Sequence, residues 1–232
     1  MNIDPLPPHE YRRLTAAAGD RSLADLVERR IAGEPLQYLE GTVQFGPMTL
    51  TVDRRVLIPR PETEHLASEL VGRMDGPGVV VDLCTGSGAL ALFLKHAWPQ
   101  ARVIGTDNSS DALEVARTNG TGIEWLEGDL FTALPAELLG KIDLLVANPP
   151  YIAEEAWDTL PRDVRHEPRL ALVAGPEGTE VIQRILTELP DWISPGGEAW
   201  IEIGETQGWL ASNYPVQVVQ DQYGVDRYLR WT

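Results

Sequence analysis

From residue 78 onward, short apolar runs alternate with longer amphipathic ones. "VVVDL" (79–83), "RVIGTD" (102–107), "IEWLEG" (123–128), "KIDLLVAN" (141–148) and "GEAWIEIG" (197–204) are rich in Val, Ile and Leu and too short for helices. They read as strands. Residues 88–98, 109–119 and 180–193 carry apolar positions at helical spacing. Strands alternating with helices predict an α/β fold with a doubly wound, mostly parallel sheet. The final run, "VQVVQDQYGVDRYLRW" (216–231), alternates twice about the turn Asp221–Gly224. It reads as an antiparallel hairpin, which a plain dinucleotide-binding sheet lacks.

The first third has a different rhythm. Residues 1–33 look helical after a Pro-rich start. In "SLADLVERRIAG", Ser22 is a natural N-cap, Leu23, Leu26, Val27 and Ile31 form one stripe, and Gly33 is a stop. Residues 36–61 alternate and carry turn residues, predicting a β-hairpin. Residues 62–74 predict an amphipathic helix, with Thr63 a candidate cap. No internal repeat is visible.

Composition narrows the class. The chain has 232 residues, 43% hydrophobic and 23% charged, enough for one sizeable core with a small appendage. The first residues lack a secretory signal's basic start and apolar run, and no run approaches a membrane span. The single cysteine, Cys84, forms no internal disulfide and fits a reducing cytoplasm. The four histidines, His9, His65, His96 and His166, are scattered without metal-ligand spacing, so no metal is expected. A net charge of −16 disfavours nucleic acid as a direct substrate, because phosphate binding needs clustered Lys and Arg.

Candidate chemistry lies at the strand ends. "VVVDLCTGSGALA" (79–91) is strand, turn and helix, with Gly86-x-Gly88-x-x-Ala91 spacing. Asp107 ends the next strand, where a carboxylate can accept from both hydroxyls of a ribose. Taken alone, Asp107 reads equally as part of a helix cap; the two strand ends together favour a nucleoside cofactor. Asp82, just before the turn, would attract the ammonium of S-adenosyl-L-methionine and would repel a pyrophosphate. In "EGDLF" (127–131), Asp129 can accept from an adenine amino group, with Leu130 and Phe131 covering the ring. Equally, Asp129 can cap a turn and Phe131 can sit in the core.

"LLVANPPYIA" (144–153) ends a strand in Asn148-Pro149-Pro150-Tyr151. Two prolines cannot continue a central strand. An amide, a rigid backbone and a flat ring side by side suit a planar nitrogen nucleophile. Asn148 can accept one N–H, the Pro149 carbonyl the other, and Tyr151 can pack on the flat face. A Pro-Pro turn with a packed Tyr is the bland reading of the same four residues.

These motifs resemble the HemK/PrmC family of protein-(glutamine-N5) methyltransferases. So do "GEPLQYLEGTVQFGPMTLTVDRRVLIPRPETE" (33–64), "DVRHEPRLALVAGPEG" (163–178) and "DQYGVDRYLRW" (221–231). The resemblance covers about 33–232. It implies a class I S-adenosylmethionine-dependent methyltransferase fold over 62–232, preceded by a short helical segment (1–33) and a β-hairpin linker (34–61). The family carries a helical bundle before the hairpin, whereas about thirty residues precede Gly33 here.

Carried across, Asp82, Cys84, Thr85, Gly86, Ser87, Gly88, Asp107, Asp129, Leu130 and Asn148 would bind cofactor. Cys84 stands where the family commonly has Gly. Asn148, Pro149, Pro150 and Tyr151 would be catalytic and hold the acceptor, with Arg60 and Glu62 beside them. The implied acceptor is a glutamine in the Gly-Gly-Gln loop of a peptide chain release factor, in the cytoplasm. In "IPRPETE", Arg60 either pairs a carboxylate at the site's rim or the prolines merely shape a helix start. Arg165, His166 and Glu167 either line the substrate groove or form a solvated loop. The competing functions are an amino-methyltransferase for adenine or guanine in nucleic acid, a nicotinamide oxidoreductase, and a cofactor-binding module without activity.

Overall fold

The computed structural model describes residues 6–232; the first five residues of the predicted N-terminal segment lie outside the described ones. Helices α1 (Pro8–Ala18) and α2 (Leu23–Ile31) open the chain. Ser22 caps α2, accepting from the Asp25 amide. Leu14, Leu26, Leu36 and Leu39 close a small core of their own. Ile31, predicted on the buried stripe, is 37% exposed, because α2 turns only one narrow face to its neighbours.

The predicted hairpin over 36–61 is shorter than expected. Residues Leu36–Glu40 form a helical turn, α3, that ends at Gly41 in the left-handed conformation. Leu36 and Leu39, three apart, both face the N-terminal core, and that burial outweighs the alternating pattern. The hairpin itself is β1 (Thr42–Phe45) with β2 (Met48–Thr51). Residues 52–60 then run without regular structure to α4 (Pro61–Arg73). Pro61 occupies the first turn of α4, where its missing N–H costs nothing.

The strands β3 (Val79–Leu83), β4 (Arg102–Asp107), β5 (Glu124–Glu127) and β6 (Ile142–Ala147) follow, with α5 (Ala89–Ala97) after β3 and α6 (Ser110–Asn119) after β4. Two short parallel strands, β7 (Ile152–Ala153) and β8 (Val173–Gly175), bracket a segment of 3-10 turns. Helix α7 (Glu180–Glu188) precedes β9 (Ile193–Glu202), β10 (Gln217–Gln220) and β11 (Asp226–Trp231). The helix predicted to 193 tightens at Leu189–Asp191 because Pro190 cannot continue it.

Among the described residues, one seven-stranded sheet has the order β10-β11-β9-β6-β3-β4-β5. The five strands from β9 to β5 in that order are parallel, and β11 and β10 are antiparallel. Apolar residues of α7 cover one face and those of α4 and α5 the other. The chain winds from β3 towards β5, then returns to β6 on the other side of β3. That reversal opens a crevice beyond the carboxyl ends of β3 and β6. No helix among the described residues is long and apolar enough to cross a membrane.

Candidate active site

The crevice holds a cavity of about 270 Å³ at the ends of β3, β4, β5 and β6. Asp82, Cys84, Thr85, Gly86 and Ser87 form one wall, Asp107 and Ser109 another, and Asp129 and Leu130 a third. Asn148 and Pro150 close the end nearest β6. Ten of the predicted site residues thus surround one space, although they come from four strand ends.

The turn after β3 is held by its carboxylates. Asp82 is 1% exposed. Its Oδ2 accepts from the Thr85 hydroxyl and, at 3.1 Å, from the Ala91 amide. Its Oδ1 is buried without a hydrogen-bond partner. Burial pushes the Asp82 carboxyl up to about 7, against those two hydrogen bonds. Thr106 Oγ1, also on the cavity wall, is likewise unpartnered. A buried carboxylate oxygen without a partner suits a ligand's cationic donor, while the Thr106 hydroxyl can donate as well as accept.

Asp107 accepts from Gly86 N–H at 2.9 Å through Oδ2 and from Ser109 N–H at 2.9 Å through Oδ1. It therefore shapes the turn and still faces the cavity. Burial raises its pKa, and the backbone N–H groups lower it. The two roles considered for Asp107 are compatible, since a carboxylate has about four acceptor sites.

Two non-glycine residues among those described have positive φ, Cys84 (57°) and Leu130 (51°), and both line this cavity. The left-handed conformation explains why glycine is at home at position 84. Burial pushes the Cys84 thiol above its ordinary value, so it is no thiolate nucleophile. Gly86 has φ +54°, and Gly88, at φ +81°, caps α5. Gly88 does not line the cavity. A Cβ there would stand 2.6 Å from the Trp125 ring, so this glycine allows the close approach of α5. Of the two readings of Phe131 the structure takes the core one: it stacks on Trp192 with centroids 5.4 Å apart. Asp129 faces the cavity and also pairs with Arg184 at 2.7 Å; Arg184, missed in the sequence, lines the cavity too.

A second cavity, about 200 Å³, shares Asn148 with the first. Arg60, Tyr151 and apolar residues including Leu57, Ile152 and Leu172 line it. Pro149 is buried and lines neither. Tyr151 packs on the main core, and its carbonyl accepts from Gln207 Nε2 at 2.9 Å. Arg60 pairs with a carboxylate, that of Glu167, which is 4% exposed and also accepts from Ile58 N–H at 2.9 Å. Glu167 is thus neither groove lining nor solvated loop. It clasps the 154–172 segment to the "IPRP" stretch. Arg165 and His166 line neither cavity. The Glu62 side chain lines neither, and its carbonyl accepts from the Tyr228 hydroxyl at 2.7 Å.

Thr63 does not cap α4; no side chain caps it, and the N-cap position is Arg60. Thr63 Oγ1 instead donates to Glu202 Oε2 at 2.7 Å and accepts from Asn148 Nδ2 at 3.1 Å. Glu202 was not legible as a site residue, because it reads as one more position of a buried strand.

Residues 80–166 match the model of a methyltransferase domain. The chain is 41% identical to the release factor glutamine methyltransferase of Deinococcus radiodurans, over 89% of this chain and 77% of that protein. It is 46% identical to that of Mycolicibacterium smegmatis, over 78% of this chain and 66% of that protein, and 41% identical to that of Chlorobaculum tepidum, over 86% and 75%. A 16S rRNA methyltransferase of T. thermophilus, solved with AdoMet and guanosine, superposes with a TM-score of 0.59 at 18% identity, over 82% of this chain and 48% of that one. A methyltransferase of Pyrococcus furiosus gives 0.57 at 16%, over 80% and 88%. These structures are similar in fold.

Proposed function

This chain belongs to the family of release factor glutamine methyltransferases, and we propose that the shared wall at Asn148 is where it methylates a glutamine side-chain amide of a peptide chain release factor. Its cofactor is S-adenosyl-L-methionine, which supplies an electrophilic methyl group. The cavity suits it. Unpartnered Asp82 Oδ1 can take the ammonium, Asp107 retains acceptor capacity for ribose hydroxyls, and Asp129 and Leu130 can flank the adenine.

The observation that carries the acceptor assignment is the bond from Asn148 Nδ2 to Thr63. An amide whose NH₂ end is engaged with Thr63 has its oxygen free to accept. An acceptor amide nitrogen has its lone pair spread into the carbonyl. Holding one N–H on Asn148 Oδ1 aims that lone pair, and the Tyr151 ring limits the amide's tilt. The amide proton leaves to solvent after transfer, so no general base is required. The apolar second cavity accommodates the acceptor segment, and a Gly-Gly neighbour lets its backbone bend in without side-chain clash. The substrate class and the single cysteine of the chain support work in the reducing cytoplasm.

The test is incubation with labelled cofactor and either purified release factor or nucleic acid, followed by mapping of the label. Label on a glutamine of the release factor is expected. Label on adenine or guanine, with no protein glutamine modified, would overturn the assignment.

A further inference from the structure

Strands β6 and β9 are parallel neighbours, with Ala147 opposite Ile201. Asn148 and Glu202 therefore sit side by side where the sheet ends. Thr63, from the first turn of α4, stands between them. Thr63 is 4% exposed and Glu202 1%, so water does not compete for the bond between them.

The chain of bonds has a direction. A hydroxyl carries one proton, and an ionised carboxylate can only accept. A carboxylate at 202 therefore draws the Thr63 proton to itself. The lone pairs of Thr63 are left towards Asn148, and only the NH₂ end of that amide can bond to them. The oxygen end then faces the cavities. With a protonated or neutral group at 202, Thr63 is free to turn its proton towards Asn148. The amide can then reverse and set N–H against the N–H of an incoming acceptor.

We propose that Thr63 and Glu202 are positioning residues that fix which end of the Asn148 amide meets the acceptor nitrogen. The proposal rests on the assignment of Asn148 as the acceptor-holding group. Glu202 is faced by Glu62 and Thr63 of α4, by Arg60 just before it, by Tyr151, and by Arg227 and Tyr228 of β11. Burial raises its carboxyl to about 7, with the Thr63 hydrogen bond and the two arginines pulling the other way. A buried carboxyl bound to one hydroxyl is a costly way to fill space. A neutral side chain would serve a merely structural role with less desolvation.

The experiment is single-turnover methyl transfer to release factor at saturating cofactor, on wild type, Thr63→Val, Thr63→Ser, Glu202→Gln and Asn148→Ala, with cofactor affinity measured in parallel. Thr63→Val and Glu202→Gln should lose tenfold or more in rate, on the scale of about 1.4 kcal/mol per decade, while cofactor affinity stays within about threefold. Thr63→Ser, which restores the hydroxyl, should recover the rate lost in Thr63→Val. The wild-type rate should fall as pH drops through about 7, and Glu202→Gln should lack that limb. Thr63→Val at the wild-type rate, or an unchanged acid limb in Glu202→Gln, overturns the proposal. A slow Asn148→Ala beside a normal Thr63→Val sinks the positioning role alone. An Asn148→Ala as fast as wild type sinks the acceptor assignment with it. If Thr63→Val fails to fold, the acid limb in wild type and Glu202→Gln still decides.

Discussion

The backbone N–H of Gly86 donates to Asp107 Oδ2 at 2.9 Å, tying the turn after β3 to the end of β4. We propose that the carboxylate shaping this turn also accepts from the cofactor's ribose. Asp107→Ala should therefore weaken S-adenosylmethionine binding by roughly 1.5–3 kcal/mol, the scale of hydrogen bonds to a charged group. Titration calorimetry reads this directly, and unchanged affinity would reduce Asp107 to a turn residue.

If Asp82 holds the cofactor's ammonium, as proposed, cofactor affinity should depend on pH. Burial holds its free carboxyl at about 7, and a cation at Oδ1 favours the ionised form. Affinity should weaken as pH falls below about 7, and binding at pH 7 should release protons. Calorimetry in buffers of different ionisation enthalpy measures the release. Asp82→Asn should abolish both effects.

Asn148→Ala should lower turnover by about a hundredfold, the scale of removing one preorganised hydrogen-bonding group from a transition state. Cofactor affinity should stay within about threefold, because the turn after β3 and Asp107 are untouched. Near-normal single-turnover transfer would leave Asn148 as a strand terminator.

Glu167→Ala should destabilise the protein by about 1–3 kcal/mol, because it strips the Ile58 amide and the Arg60 guanidinium of their shared partner. It also frees the 154–172 segment, whose Leu160, Val164 and Leu172 line the second cavity. Urea unfolding should show the loss, and the KM for release factor should rise more than kcat falls.

Glu202 should leave a signature in stability. Its folded carboxyl, at about 7, lies above the ordinary 4.5. Between those values the folded state binds more protons than the unfolded one, so this group's contribution falls as pH rises through the window. Glu202→Gln removes the buried charge. Its Tm should exceed that of wild type at pH 8, by a few degrees, and the gap should close towards pH 4.5. A gap that does not change with pH in scanning calorimetry would show that the Glu202 carboxyl titrates in the fold as it does in the unfolded chain.

Sequence alone carried the alternation of strand and helix, since period-two and helical apolar patterns are local and survive without partners. It also carried the turn after β3, Asp107 and Asn-Pro-Pro-Tyr, whose chemistry is written within a few adjacent residues. Three-dimensional packing decided what local pattern could not. It turned 36–40 into helix by burying Leu36 and Leu39, and it sent Phe131 into the core against Trp192. It also assigned partners to residues that looked like caps or filler. Arg60 meets Glu167 across 107 positions, Thr63 meets Asn148 across 85, and Thr63 meets Glu202 across 139. A buried hydrogen bond between distant positions leaves no periodicity in the chain. It exists only once β6, β9 and α4 are packed and water is excluded, and that exclusion is what makes an unpaired Thr63 or Glu202 costly enough to specify its partner.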